Sequence, residues 1–222
     1  MTRKHLILLL PLALAGCGGL LGGGRPAELY RFGDAAAAAP DAAAPERGRS
    51  ILVSYPGADF EAESRGDRIL TATGASLSYV ADARWVAPAS ELFDGAMIRS
   101  LGRLSPAVRM VRPGDITRPD FTLSVDVRRF EAVYLGGEAP EALVEANVRL
   151  IRRSDRAIVG EWPVAAREPA DANRVTSIVA AFDRATAAVT ARVNDLVSQT
   201  VAQTYVPSAM AVGVAVQPVS QR

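Results

Sequence analysis

The sequence predicts an α+β fold: a mainly antiparallel sheet with two helices packed on one face. Three observations lead there. Apolar residues alternate over Phe121–Val127 and Ala142–Leu150, the period-two pattern of half-buried strands. They recur every three or four residues over Trp85–Leu104 and again from Ala172 to Gln203, the pattern of amphipathic helices. Strands and helices come in blocks, which is the order of α+β chains rather than of alternating α/β ones.

The chain begins differently. Arg3 and Lys4 precede an apolar run, Leu6–Ala15, of half the length that a bilayer-spanning helix needs. Leu14-Ala15-Gly16-Cys17 follows and resembles the lipobox of bacterial lipoproteins, in which the signal is cut before the Cys and its thiol receives diacylglycerol. The reading is a signal peptide over 1–16, cleavage between Gly16 and Cys17, and lipid attachment at Cys17 with palmitate-type acylation of the new N-terminus. Two or three acyl chains at ~0.8 kcal/mol per buried CH₂ hold a protein on a bilayer where a single chain is marginal. Gly18, where enteric inner-membrane lipoproteins carry Asp, favours by resemblance the periplasmic face of the outer membrane over the inner membrane.

Residues 17–49 read as a lipidated Cys followed by a glycine-rich tether (17–27) and an Ala/Pro-rich linker (34–49), with Glu28–Phe32 between them as a short strand. The folded domain is expected over 50–205. Ser50–Tyr55 is a strand stopped by Pro56-Gly57, and Ile69–Thr73 with Ser76–Val80 form a hairpin around Gly74. The helix over Trp85–Leu104 has Pro88 in its first turn and Pro106 after its end. Ala107–Val111 is a short strand closed by Pro113-Gly114. Three strands then form an antiparallel meander: one from Phe121, one over Ala142–Leu150, one over Ala157–Ala166. In the first, the apolar phase slips from odd to even positions at Arg128-Arg129, which predicts a β-bulge there. The last helix, about 30 residues at ~1.5 Å each, is roughly 45 Å long and can cross a whole sheet. Pro207 stops it, and 206–222 reads as a disordered tail.

Composition narrows the function. The only His, Lys and Cys are His5, Lys4 and Cys17, so a chain cut before Cys17 keeps neither His nor Lys. Loss of Arg3 and Lys4 takes the formal charge from +1 to −1. Nucleophilic triads need an imidazole; zinc sites need His or Cys; Schiff-base and P-loop chemistry need Lys. The expectation is therefore no enzyme, no catalytic residue, no metal site and no cofactor. The near-neutral charge gives no reason to expect nucleic acid.

Several stretches together resemble the ABC-type transport auxiliary lipoproteins, the family of the paraquat-inducible operon's lipoprotein. Behind the lipobox comes Leu29-Tyr30-Arg31-Phe32, then Tyr79 ahead of Arg84-Trp85-Val86-Ala87-Pro88, with Leu92 and Leu101 along the helix. Next comes Leu123, Val125, Val127, Phe130 and Glu131, in a Leu-x-Val-x-Val-x-x-Phe-Glu pattern, and finally a long C-terminal helix. The insertion at 34–49 and the apolar tail after Pro207 depart from the family pattern. The resemblance implies an outer-membrane-anchored accessory or docking subunit for a mammalian-cell-entry (MCE) lipid transport system, made of an ATPase, a permease and a periplasmic MCE protein. An alternative reading is a periplasmic module that itself binds phospholipid, with an acyl chain on the helix-free sheet face or in a groove under the long helix.

The candidate partner-contact residues are Arg84 and Trp85, since Arg and Trp concentrate at interface hot spots, and Tyr134 and Leu135 at the start of the loop Tyr134–Glu141. The favoured readings are nonetheless that Trp85 caps the core where the helix begins and that the loop is an ordinary hairpin connection. Trp162, on a meander strand, reads as packing. Arg128, Arg129, Arg149, Arg152, Arg153 and Arg156 concentrate positive charge on the meander, with Glu131, Glu141, Glu145 and Asp155 placed to neutralise them. Asp115, Asp120 and Asp126 have no calcium-loop spacing.

Overall fold

A computed structural model describes residues 26–34, 50–104, 108–111, 115 and 117–204. The lipobox with Gly16 and Cys17, the signal peptide, most of the tether, linker residues 35–49 and the tail 206–222 lie outside the described residues.

In chain order the elements are β1 (Glu28–Tyr30), β2 (Ile51–Ser54), β3 (Ala58–Phe60), α1 (Ala62–Arg65), β4 (Arg68–Thr73), β5 (Ser76–Trp85), α2 (Ala89–Leu101), β6 (Val108–Val111), β7 (Phe121–Tyr134), β8 (Glu141–Arg152), β9 (Ile158–Pro169) and α3 (Val175–Thr204). The chain is α+β, as its patterning predicts, but the sheet is mixed rather than mainly antiparallel. The meander β7–β8–β9 is antiparallel throughout. The other edge of β7 pairs parallel with three short strands in succession: β2 at Phe121, β3 at Val125–Val127 and β4 at Ala132–Tyr134. Beyond them, β6 runs parallel to β2, β5 antiparallel to β4, and β1 parallel to β5. Strand direction leaves no trace in apolar alternation, because partners in either orientation face the same way. The hairpin and the meander are legible because short connections force antiparallel neighbours.

β2 and β3 run one after the other along the same side of β7, with a break at Gly57. Its φ of +115° disfavours any residue with a Cβ, and a Cβ there would lie 3.0 Å from Oδ2 of Asp94. Asp94 sits on α2 and receives the break: its Oδ1 accepts the Tyr55 hydroxyl at 2.5 Å and the Ala58 N–H at 2.9 Å. Neither β3 nor α1 is long enough to show a period in the sequence, and neither was expected there. Residues 85–88, expected in the helix, instead end β5 and carry the chain to α2, which begins after Pro88. The β7–β8 register shifts between Val127 and Arg129, where the apolar phase slips.

The two long helices share one face of the sheet. α3 packs on β8 and β9 and against α2, and the buried Ser100 hydroxyl of α2 donates to the Thr190 carbonyl of α3 at 3.0 Å. α3 turns Ile178, Phe182, Ala185, Val189, Val193, Val197 and Val201 inward. These meet the apolar faces of β7 and β8 around an aromatic cluster. Phe130 is at its centre, with ring centroids 4.8 Å from Phe182, 5.0 Å from Phe32 and 5.7 Å from Phe60. On β9, Trp162 packs against this core, its ring lying over Gly160.

Candidate functional site

The first described segment is fastened to the body of the domain. β1 lies along β5, and the Val86 N–H donates to the Tyr30 carbonyl at 2.7 Å. Phe32 then enters the aromatic cluster edge-on to Trp85, 4.9 Å between centroids. Gly33 follows at φ +97°, with its N–H on Asp183 Oδ1 at 2.6 Å and its carbonyl accepting from Arg99 at 3.1 Å. A Cβ on Gly33 would crowd Ala96 and Arg99 at 3.0–3.1 Å. α2 and α3 thus both grip the chain at Gly33, and a pull on the described N-terminal segment is transmitted to the core.

The candidate contact residues separate. Trp85 is 2% exposed and lies against Phe32, Phe130 and Phe182, so its ring belongs to the core and is not at the surface. Arg84, one residue earlier, points the other way, as strand alternation requires. Its Nη1 meets both carboxylate oxygens of Asp67 at 3.0 Å, and both side chains are about half exposed. Tyr134 ends β7 and donates its hydroxyl to Asn173 Oδ1, just before α3, at 2.8 Å. Leu135 is 67% exposed. Leu77 was not singled out from sequence, yet it is 51% exposed at the same end of the sheet, reached through the pairs Leu77–Ala72 and Ala72–Val133. Leu135 and Leu77 therefore give one end of the sheet an apolar tip at the two hairpin turns.

The charges of the meander also separate by position. Arg128 pairs with Glu61 and Asp126 at 3.0 and 3.3 Å, and Arg129 with Glu131. The middle of the sheet is thus neutralised as the sequence suggests, though Glu61 comes from a distant segment. At the end opposite the leucines, Arg152 grips Asp155 through two hydrogen bonds of 3.0 and 2.8 Å. With the Ala157 N–H also on it, the Asp155 carboxyl is held down to about 2. Arg149, Arg153 and Arg156 carry no ion pair among the described residues.

No group of three His, Cys, Asp or Glu side chains capable of holding a metal ion occurs among the described residues. No described helix is long and apolar enough to cross a membrane. The most displaced titration belongs to the Tyr55 phenol, raised far above its ordinary 10.0, first by burial and then by the neighbouring Asp94 carboxylate. That group lies in the β2–β3 break, facing α2, and holds the fold together.

A family model described as the ABC-type transport auxiliary lipoprotein component matches residues 30–194. The chain belongs to that family. The match runs from Tyr30, at the end of β1, into α3, so it covers β2 to β9, α2 and the first two-thirds of α3. Among solved structures, protein XCC0632 from Xanthomonas campestris, of the DUF330 family, is similar at 24% identity and a TM-score of 0.67, covering 80% of this chain and 98% of its own. A second, an uncharacterised protein, is similar at 14% identity and a TM-score of 0.60, covering 78% of this chain and 100% of its own. At these identities the two establish the shared fold. No curated protein sequence matches the chain.

Proposed function

We propose that this auxiliary lipoprotein is acylated at Cys17, sits at the periplasmic face of the outer membrane, and serves as a docking subunit of an MCE-type intermembrane lipid transport system. It has no chemistry of its own in this reading. The observation that carries the proposal is the family match over residues 30–194, which names a transport auxiliary lipoprotein. A lipobox ahead of a fold gripped at its N-terminus supports it. From Cys17 to Glu28 the chain can span at most about 40 Å at ~3.6 Å per residue, so the domain stays close to its bilayer. The apolar tip, Leu135 with Leu77 and beside Tyr134, is the surface offered to the MCE protein, and Arg84 flanks a different face. Phe32, Phe60, Phe130 and Phe182 fill the space between helices and sheet, which favours protein contact over an acyl chain held under α3.

Affinity purification of the tagged full chain from mildly solubilised membranes tests this. The MCE protein and the permease are expected in the eluate. Their absence, under conditions that preserve another envelope complex, contradicts docking. Native mass spectrometry of the same sample addresses the other reading: a retained phospholipid mass in addition to the N-terminal acyl groups supports lipid carriage instead.

A further inference from the structure

We infer that the basic end of the sheet is a binding site for a phosphate group. Three segments converge there: the approach to β7 (Arg118, Pro119, Asp120, Phe121), the turn after β8 (Arg152, Arg153, Ser154), and Thr204 at the end of α3. Together they line a cavity of about 740 Å³, open at its mouth. That size lies within the usual range for ligand pockets, roughly 300–1,000 Å³.

The charges in it are not balanced. Its one lining acid, Asp120, is committed to the fold, accepting the Leu52 N–H at 2.9 Å, and Asp155, outside the lining, is taken up by Arg152. Arg118 and Arg153 line the cavity with no ion pair among the described residues. They belong to different segments, and the backbone fixes their spacing, because the Arg153 N–H donates to the Asp120 carbonyl at 2.9 Å. The Arg152–Asp155 clasp and the Ala157 N–H on Asp155 hold the turn that carries Arg153 and Ser154. Two guanidinium forks and a hydroxyl on a held backbone match a tetrahedral oxyanion better than a single planar carboxylate. The last turn of α3 carries no basic side chain, and none of these arginines donates to its carbonyls in the described hydrogen bonds, so they are not acting as helix caps.

The phosphate can come from inorganic phosphate or from a phospholipid headgroup, and the test separates the two. Full-length acylated protein in nonionic detergent is titrated by calorimetry with inorganic phosphate, and separately with dihexanoyl phosphatidylglycerol. Saturable binding is expected, weakened at least about tenfold in Arg118→Gln/Arg153→Gln, which removes two charge-assisted contacts. Arg128→Gln, away from the cavity, should leave it unchanged. Phosphatidylglycerol binding tenfold tighter than phosphate assigns the headgroup, and equal affinities assign the phosphate alone; both uphold the site. Absence of binding by either probe overturns it. Full binding in a double variant that melts like the parent also overturns it. Tighter binding of a hexaglutamate peptide than of either probe overturns it in favour of an acidic protein partner.

Discussion

Asp94→Ala removes the acceptor that joins α2 to the break between β2 and β3. Two donors lose their partner at once: the hydroxyl of Tyr55, a residue only 4% exposed, and the N–H of Ala58. An orphaned buried donor costs about 1–3 kcal/mol, more opposite a charge, so the pair should cost about 2–6 kcal/mol. At ~2–4 °C per kcal/mol for a domain of this size, melting should fall by about 4–24 °C. Asp94→Asn keeps a carbonyl acceptor and should lose less than half as much. Urea unfolding followed by circular dichroism measures both. A double-mutant cycle with Tyr55→Phe isolates the hydroxyl's share, because in that background Asp94→Ala orphans only one donor. The same site sets the alkaline limit. The Tyr55 proton is held in the folded state beyond its unfolded value of 10.0, so its contribution is intact below that pH and is lost as pH rises above it. Tyr55→Phe should therefore flatten the loss of stability above pH 10. An Asp94→Ala protein within about 0.5 kcal/mol of the parent would refute the reasoning, since that is the spread of neutral surface changes.

Other expectations follow from single contacts. Phe130→Ala empties the centre of the aromatic cluster and should cost about 3–5 kcal/mol in denaturant unfolding. Gly160→Ala places a methyl 2.0 Å from the Trp162 ring, so the indole must move, with a shift in tryptophan emission and a loss of about 1–3 kcal/mol. The Asp155 carboxyl should titrate at about 2 by NMR, and Arg152→Gln should return it toward 3.8. Leu135→Asp, at a 67%-exposed position, should leave melting unchanged and reduce recovery of the MCE protein in affinity purification.

How much of this was legible in the sequence depends on the range of the interaction. The meander, the bulge at Arg128-Arg129 and both long helices are local patterns, and each stands in the structure near its expected bounds. The parallel pairing of β2, β3 and β4 with β7 joins segments about 60 to 70 residues apart, and alternation carries no information about direction. Trp85 reads from sequence first as a cap on the core, and the structure buries it there; the rings that do so, Phe32 and Phe182, come from distant parts of the chain and carry no local signal. Arg153 was visible as one charge in a basic run. Its company with Arg118 and Thr204 became visible only once the ends of β7, β8 and α3 were brought together. Leu77 carried no signal, because an apolar residue in a strand looks the same whichever face is covered.

Physical docking onto an MCE transport system is tested most directly by in-cell photo-crosslinking. A photoreactive amino acid is placed at Leu135 and Leu77 on the apolar tip and at other exposed positions over the surface. The account predicts adducts with the MCE protein from the tip positions. No adduct with the MCE protein or the permease from any position, in cells where both are expressed, would contradict it.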